Sequence, residues 1–331
     1  MKDVLTPFLL TLALVSCADT LSSPLGAQSQ SEVPVGVSSG AATAGGLTRN
    51  YQLYVPATNN NRPRPLVVML HGCTQSPQSF AAGTRMNTLA DQEGFLVVYP
   101  EQSASANASR CWNWFEPAHQ ARNTGEPAVI KAMVDKVRSQ VAVDSKQVYV
   151  AGLSAGGAMS VIMGATYPDV FAAIGVSAGL EYQAATDLTG ALAAMRLGGP
   201  DPDAQGKMAY SASEGIRRRV AAIVFHGSND LTVAPVNGTQ VAAQWVQTND
   251  LADDGIENDS VSEDQKVTSA GSVPGGRSYT VETYAQGLVE HWNIAGMSHA
   301  WSGGSREGSY TDPTGPDASA VMWRFFNAAF R

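Results

Sequence analysis

Beyond residue 50 the apolar positions of the chain follow two rhythms. Leu66–Leu70 is apolar throughout, as befits a strand covered on both faces. Tyr51–Val55, Phe95–Tyr99, Gln147–Ala151, Phe171–Val176 and Ala221–Phe225 are further short β-rich runs. Between them the spacing turns helical. Phe80, Met86, Leu89 and Ala90 predict a helix over Phe80–Glu93 that stops at Gly94, and Pro127 opens a helix through Val141. Ala155–Tyr167 and Asn237–Thr248 read as helices, Tyr279–Tyr284 and Val289–Ile294 as late strands, and Asp317–Phe330 as an amphipathic closing helix. Strands alternating with helices at these lengths predict one α/β domain with a mostly parallel sheet. Two segments interrupt the alternation. Glu181–Arg219, with Gly198-Gly199-Pro200, predicts a loop or cap, and the acidic stretch Asp250–Gly276 a solvated surface loop without EF-hand spacing.

The first 46 residues follow neither rhythm. Lys2, an apolar stretch from Val4 to Val15, then Ser16 and Cys17 have the layout of an export signal over residues 1–17. Leu14-Val15-Ser16-Cys17 resembles a bacterial lipobox, which would make Cys17 a lipidated first residue; the alternative is an ordinary secretory signal cleaved near Ala18 or Ala27. Residues 18–46, rich in Ser, Ala and Gly, predict a flexible linker, leaving 47–331 as the folded domain. Both readings of the start place that domain in an oxidising compartment, outer membrane, periplasm or beyond, where Cys73 and Cys111 form an even pair and predict a disulfide.

Composition narrows the partners. The 331 residues carry a net charge of −8, and only Arg217–Arg219 cluster basic side chains, which argues against a nucleic-acid partner. No apolar run approaches the roughly 18 residues of a membrane span, so a membrane contact would run through the N-terminal lipid alone. No Cys or His spacing suggests a metal site.

The chemistry lies in Gly152-Leu153-Ser154-Ala155-Gly156, between a strand and a helix. That is the context of a nucleophile elbow, a tight turn that exposes a serine hydroxyl. A serine needs a base, and the base an orienting acid. Asp230, in His226-Gly227-Ser228-Asn229-Asp230, follows the strand Ala221–Phe225 and stands where sites form. Of the two later histidines, His291 falls within a strand, whereas His299 lies in the loop Ala295-Gly296-Met297-Ser298-His299 and is the expected base. Ala155, after the nucleophile, should offer one oxyanion-hole amide, and the loop Leu70-His71-Gly72-Cys73 the other, with His71 bracing that loop.

Together, Pro65–Cys73, Cys111-Trp112-Asn113-Trp114-Phe115, Gly152–Gly157, His226-Gly227 with Asp230, and Gly296-Met297-Ser298-His299-Ala300-Trp301 make the chain from about Tyr51 onward resemble the polyhydroxybutyrate depolymerase-type esterases. These are kin of the feruloyl and acetylxylan esterases of carbohydrate esterase family 1. The resemblance implies an α/β-hydrolase fold with helices on both faces of the sheet, no cofactor, a triad of Ser154, Asp230 and His299, and the Cys73 and Ala155 amides as oxyanion hole. The expected function is a serine carboxylic-ester hydrolase acting on polyhydroxybutyrate or a related polyester. The alternatives are deacylation of plant polysaccharide esters and a non-catalytic lipoprotein binding module. Trp112, Trp114 and Trp301 are expected to offer the substrate an apolar platform.

Overall fold

The computed structural model describes residues 1–2, 33–58 and 62–329, and residues 32–331 form one unit. A hairpin comes first, β1 (Gly36–Ala44) and β2 (Leu47–Val55), turning at the left-handed Gly45 and Gly46. Then follow β3 (Arg64–Leu70), α1 (Pro77–Thr84), α2 (Met86–Glu93), β4 (Leu96–Pro100), α3 (Gly125–Gln140), β5 (Val143–Leu153), α4 (Ala155–Thr166) and β6 (Ala173–Ser177). The second half runs α5 (Leu188–Leu197), α6 (Pro202–Ser211), β7 (Ala221–Gly227), α7 (Val236–Asp254), β8 (Val267–Ser272), β9 (Ser278–Tyr284) and β10 (Val289–Ile294). A two-stranded ladder, β11 (Trp301–Ser302) with β12 (Thr311–Asp312), precedes the last helix, α8 (Ala318–Ala329).

Among the described residues, ten strands form one sheet in the order β1-β2-β4-β3-β5-β6-β7-β10-β9-β8. The six from β4 to β10 in that order are parallel, and an antiparallel pair flanks them at each end. The strand period of two divides each inner strand between two cores. Leu66, Val68 and Leu70 pack with α3, α4 and α7, while Val67 and Met69 pack with α1, α2 and α8. Tyr149, Phe95, Trp323 and Phe326 form stacked and edge-on pairs under α8. Helices on both faces of a mostly parallel sheet make this an α/β-hydrolase fold. Among the described residues no helix is long and apolar enough to cross a membrane.

Four expectations need correction. The linker predicted to reach residue 46 ends earlier, because Gly36–Ala44 pairs with β2 over its whole length. That strand is held by main-chain hydrogen bonds, which Ser, Ala and Gly supply as well as any residue, so it leaves no apolar signature. The single helix of Phe80–Glu93 is two, broken at Arg85 in the left-handed region (φ 54°). Of the loop or cap expected over Glu181–Arg219, the plain loop falls, because the segment holds α5 and α6. Asn237, at the start of α7, donates to the carbonyls of Ala194 and Met195 to fasten α5 (3.0 and 3.4 Å). The acidic stretch 250–276 likewise contains the end of α7 and the edge strand β8. Residues 3–32, which include Cys17 and all of the expected export signal but residues 1–2, lie outside the described part.

Candidate active site

Ser154 sits between the end of β5 and the start of α4 with φ 58° and ψ −121°. A side-chain-bearing residue there is strained, and such strain marks functional turns. The turn is held open to it by absent side chains. A β-carbon on Gly156 would stand 2.0 Å from the Leu70 carbonyl oxygen, and one on Gly152 2.3 Å from the Gly156 backbone. The Ser154 amide donates to the Ser177 carbonyl at the end of β6 (2.8 Å). Ala155 is the first residue of α4, so its N–H belongs to those that a helix start leaves without an internal acceptor.

The loop after β3 lies against this turn: a β-carbon on Gly72 would stand 3.5 Å from that of Ser154. Two of its amides are committed. Gly72 N–H donates to Gln75 Oε1 (2.8 Å) and Thr74 N–H to the Ser109 carbonyl (2.6 Å), leaving the Cys73 amide between them. Cys73 is bridged to Cys111, as the even cysteine pair implies. His71 does brace the loop. Its Nε2 accepts from Gln102 N–H (3.1 Å), which makes Nδ1 the protonated nitrogen, and Nδ1 donates to the Gly72 carbonyl (2.8 Å). Burial holds His71 below the ordinary histidine range, so this tautomer is stable at neutral pH.

Asp230 and His299 meet across the carboxyl ends of β7 and β10. His299 Nδ1 donates to Asp230 Oδ2 (2.7 Å), while Asp230 Oδ1 accepts the amides of Thr232 and Val233 (2.9 Å each). The aspartate therefore forms an Asx turn with one oxygen and orients a histidine with the other. Its carboxylate is fully buried, and burial opposes ionisation. The approach of His226, the hydrogen bond and charge of His299 and the Val233 amide outweigh it and hold the group well below the usual carboxylate range. His226 Nε2 donates to the Val233 carbonyl (2.9 Å) and lies 3.5 Å from Asp230 Oδ2, so this buried histidine tightens the same turn. His291 stays in β10, its Nδ1 3.4 Å from Glu282.

The tryptophan platform is not there. Trp112, Trp301 and Trp114 are 0, 1 and 5% exposed. Trp112 Nε1 donates to the His71 carbonyl (3.1 Å), and Trp301 meets Phe80 edge-on while its Nε1 donates to Ser319 Oγ (3.1 Å). These indoles belong to the two cores rather than to a surface that a substrate could reach. Sequence reasoning also missed the polar cluster behind the disulfide. Gln102 accepts from Arg49 Nε (2.8 Å) and donates to the Cys111 carbonyl (3.0 Å) and to Glu126. Glu126, wholly buried, accepts both the amide and the side chain of Asn113 (2.8 and 2.9 Å). Burial pushes its carboxyl above the usual range, against the pull of His119, Asn113, Gln102 and Arg49. Asn113 within the Cys111–Phe115 motif was the available signal, but its partner lies 13 residues on.

Comparison with known proteins shows the family and the fold. Residues 49–265 match the family described as Esterase PHB depolymerase. Poly(3-hydroxyalkanoate) depolymerase C of Paucimonas lemoignei is 39% identical over 241 residues, covering 71% of this chain and 54% of that protein. Acetylxylan esterase A of Emericella nidulans is 33% identical over 205 residues, 59% of this chain and 66% of its own. The chain thus spans about half to two thirds of the length of these curated relatives. An acetyl xylan esterase structure from Aspergillus awamori superposes with a TM-score of 0.70 at 22% identity, covering 89% of this chain and all of that one, which shows the shared fold. The match over residues 49–265, together with the strand–serine–helix turn and the aspartate–histidine pair at the same carboxyl edge of the sheet, places this chain in the Esterase PHB depolymerase family.

Proposed function

We propose that this chain is a serine carboxylic-ester hydrolase that works through an acyl-enzyme on polyesters of hydroxyalkanoic acids. The observation that carries the reading is the His299–Asp230 hydrogen bond (2.7 Å) after β7 and β10, at the same carboxyl edge of the sheet where the end of β5 presents the strained Ser154. In this mechanism His299 Nε2 takes the proton of Ser154 Oγ as the oxygen bonds to the ester carbonyl carbon. Asp230 keeps Nδ1 protonated and stabilises the imidazolium that forms. The carbonyl oxygen becomes an oxyanion between the amides of Ala155 and Cys73. Collapse breaks the carbon–oxygen bond to the alcohol, which leaves with the proton from His299. Water, deprotonated by His299, then attacks the acyl-enzyme and releases the acid and the Ser154 hydroxyl. The chemistry calls on side chains and amides only.

The depolymerase relative supports the polyester reading, while the acetylxylan esterase relatives support deacylation of polysaccharides as the second. One assay separates them: hydroxybutyrate oligomers, an amorphous polyhydroxybutyrate film, methyl ferulate and acetylated xylan, each with the protein and with its Ser154→Ala variant. The oligomers and film should be turned over fastest, and only by the wild type. Faster release of acetate or ferulate would replace the polyester with the polysaccharide reading. Turnover of none of the four would leave the binding-module reading standing.

A further inference from the structure

Tyr310 has no part in the scheme above, yet the fold places it with care. Its backbone is left-handed (φ 53°), a conformation that a bulky residue rarely adopts. Several bonds hold it there. Trp301 N–H donates to the Tyr310 carbonyl (2.8 Å), and the preceding Ser309 carbonyl accepts from Gln75 Nε2 (2.9 Å), the same Gln75 that receives the Gly72 amide. Strain maintained by its surroundings is a mark of a functional position. The side chain then reaches both halves of the site. Its ring stands edge-on to His299, centroids 6.3 Å apart at 77°, and its hydroxyl lies 3.3 Å from Thr74 Oγ1, next to Cys73. It nevertheless keeps 46% of its surface exposed, unlike the three buried tryptophans.

The chemistry of the reaction says which part of an ester meets this ring. His299 hands its proton to the leaving alcohol oxygen, so the alcohol departs along the histidine's side of the site. We propose that Tyr310 is a specificity-determining contact for the alcohol portion of the substrate. Its ring packs on the first carbons of that alcohol, and its hydroxyl, shared with Thr74, hydrogen-bonds the next oxygen-bearing group along the chain. In a polyester that group is the neighbouring ester. The inference rests on the assignment of Ser154 and His299 made above.

The test uses two esters with one acyl group. Butyrate release is measured from methyl butyrate, whose alcohol is a single carbon, and from methyl 3-(butyryloxy)butanoate, whose alcohol carries a second ester. Tyr310→Asn removes the ring but suits a left-handed backbone, and Tyr310→Phe removes only the hydroxyl. The ratio of kcat/KM for the longer ester to that for methyl butyrate should fall about tenfold in Y310N and about threefold in Y310F, chiefly through KM. An unchanged ratio in both variants, or an equal loss on both esters, would overturn the assignment. Should Y310N not fold, the Y310F ratio decides alone. Failure of the underlying triad reading would look different: S154A would retain its activity on methyl butyrate.

Discussion

The imidazole of His299 is hydrogen-bonded to the carboxylate of Asp230, 69 positions earlier, at 2.7 Å. Neither oxygen of that carboxylate is left to water, since the other accepts the amides of Thr232 and Val233. An acid so engaged stays ionised across the working pH range and fixes one histidine tautomer. Asp230→Asn, which reverses the polarity of that bond, should lower kcat by roughly 10⁴-fold, and Ser154→Ala or His299→Ala by roughly 10⁴–10⁶. Double variants should lose little more than single ones, because the three groups act as a unit. Steady-state kinetics on a soluble ester decides this; near-full activity in D230N would mean that another carboxylate orients His299.

The disulfide between Cys73 and Cys111 closes a span of 38 residues beside the proposed oxyanion hole. In the chain-entropy account such a bridge is worth about 4 kcal/mol. Cys111→Ser should therefore lower Tm by several degrees and, by loosening the Cys73 amide, lower kcat more than it changes KM. Melting and kinetics of the same preparation check both halves. A lower Tm with unchanged kcat would confine the bridge to stability.

Glu181 carries the pH prediction. It follows β6, is 2% exposed, and neither carboxyl oxygen has a hydrogen-bond partner. Burial first, and the negative charge of Asp201 second, push it up to about 8 from an ordinary 4.5. The folded protein thus keeps a proton that the unfolded chain releases. The stability tied to this group is complete below pH 4.5 and is lost as pH rises towards 8, on the order of a few kcal/mol in all. Glu181→Gln cannot ionise and should remove that slope. Urea unfolding midpoints of both proteins between pH 5 and 9 test it, and parallel curves would show that Glu181 ionises in the fold without cost.

The export signal expected from the sequence makes a prediction about residues outside the described part. The mature protein should begin at a lipidated Cys17 and follow the membrane fraction, and Cys17→Ser should release it. Mass spectrometry of the mature N-terminus reads this directly; an unmodified terminus at Ala18 or later would make the protein an ordinary secreted one.

What was legible in the sequence is what neighbouring residues decide among themselves. The turn at Ser154 needs a strand, a helix and small residues two positions to either side, all within one stretch of chain, because backbone sterics act over that range. The inner strands could be read because burial on both faces demands unbroken apolar runs. Chain order was enough to propose Asp230 and His299, since each stands in a loop that follows a strand at the sheet's carboxyl edge. The tertiary structure alone decided the rest. β1 is built from backbone hydrogen bonds that any sequence can make, so no side-chain pattern announced it. Trp112, Trp114 and Trp301 are apolar wherever they lie, and only packing against His71, Phe115 and Phe80 determined that they are buried. The Gln102–Glu126 contact and the approach of Tyr310 to Thr74 and His299 join residues 24, 236 and 11 positions apart. Such contacts exist only once the sheet has brought distant segments together; the buried Gln102–Glu126 contact in addition needs a desolvated setting that the local chain cannot supply.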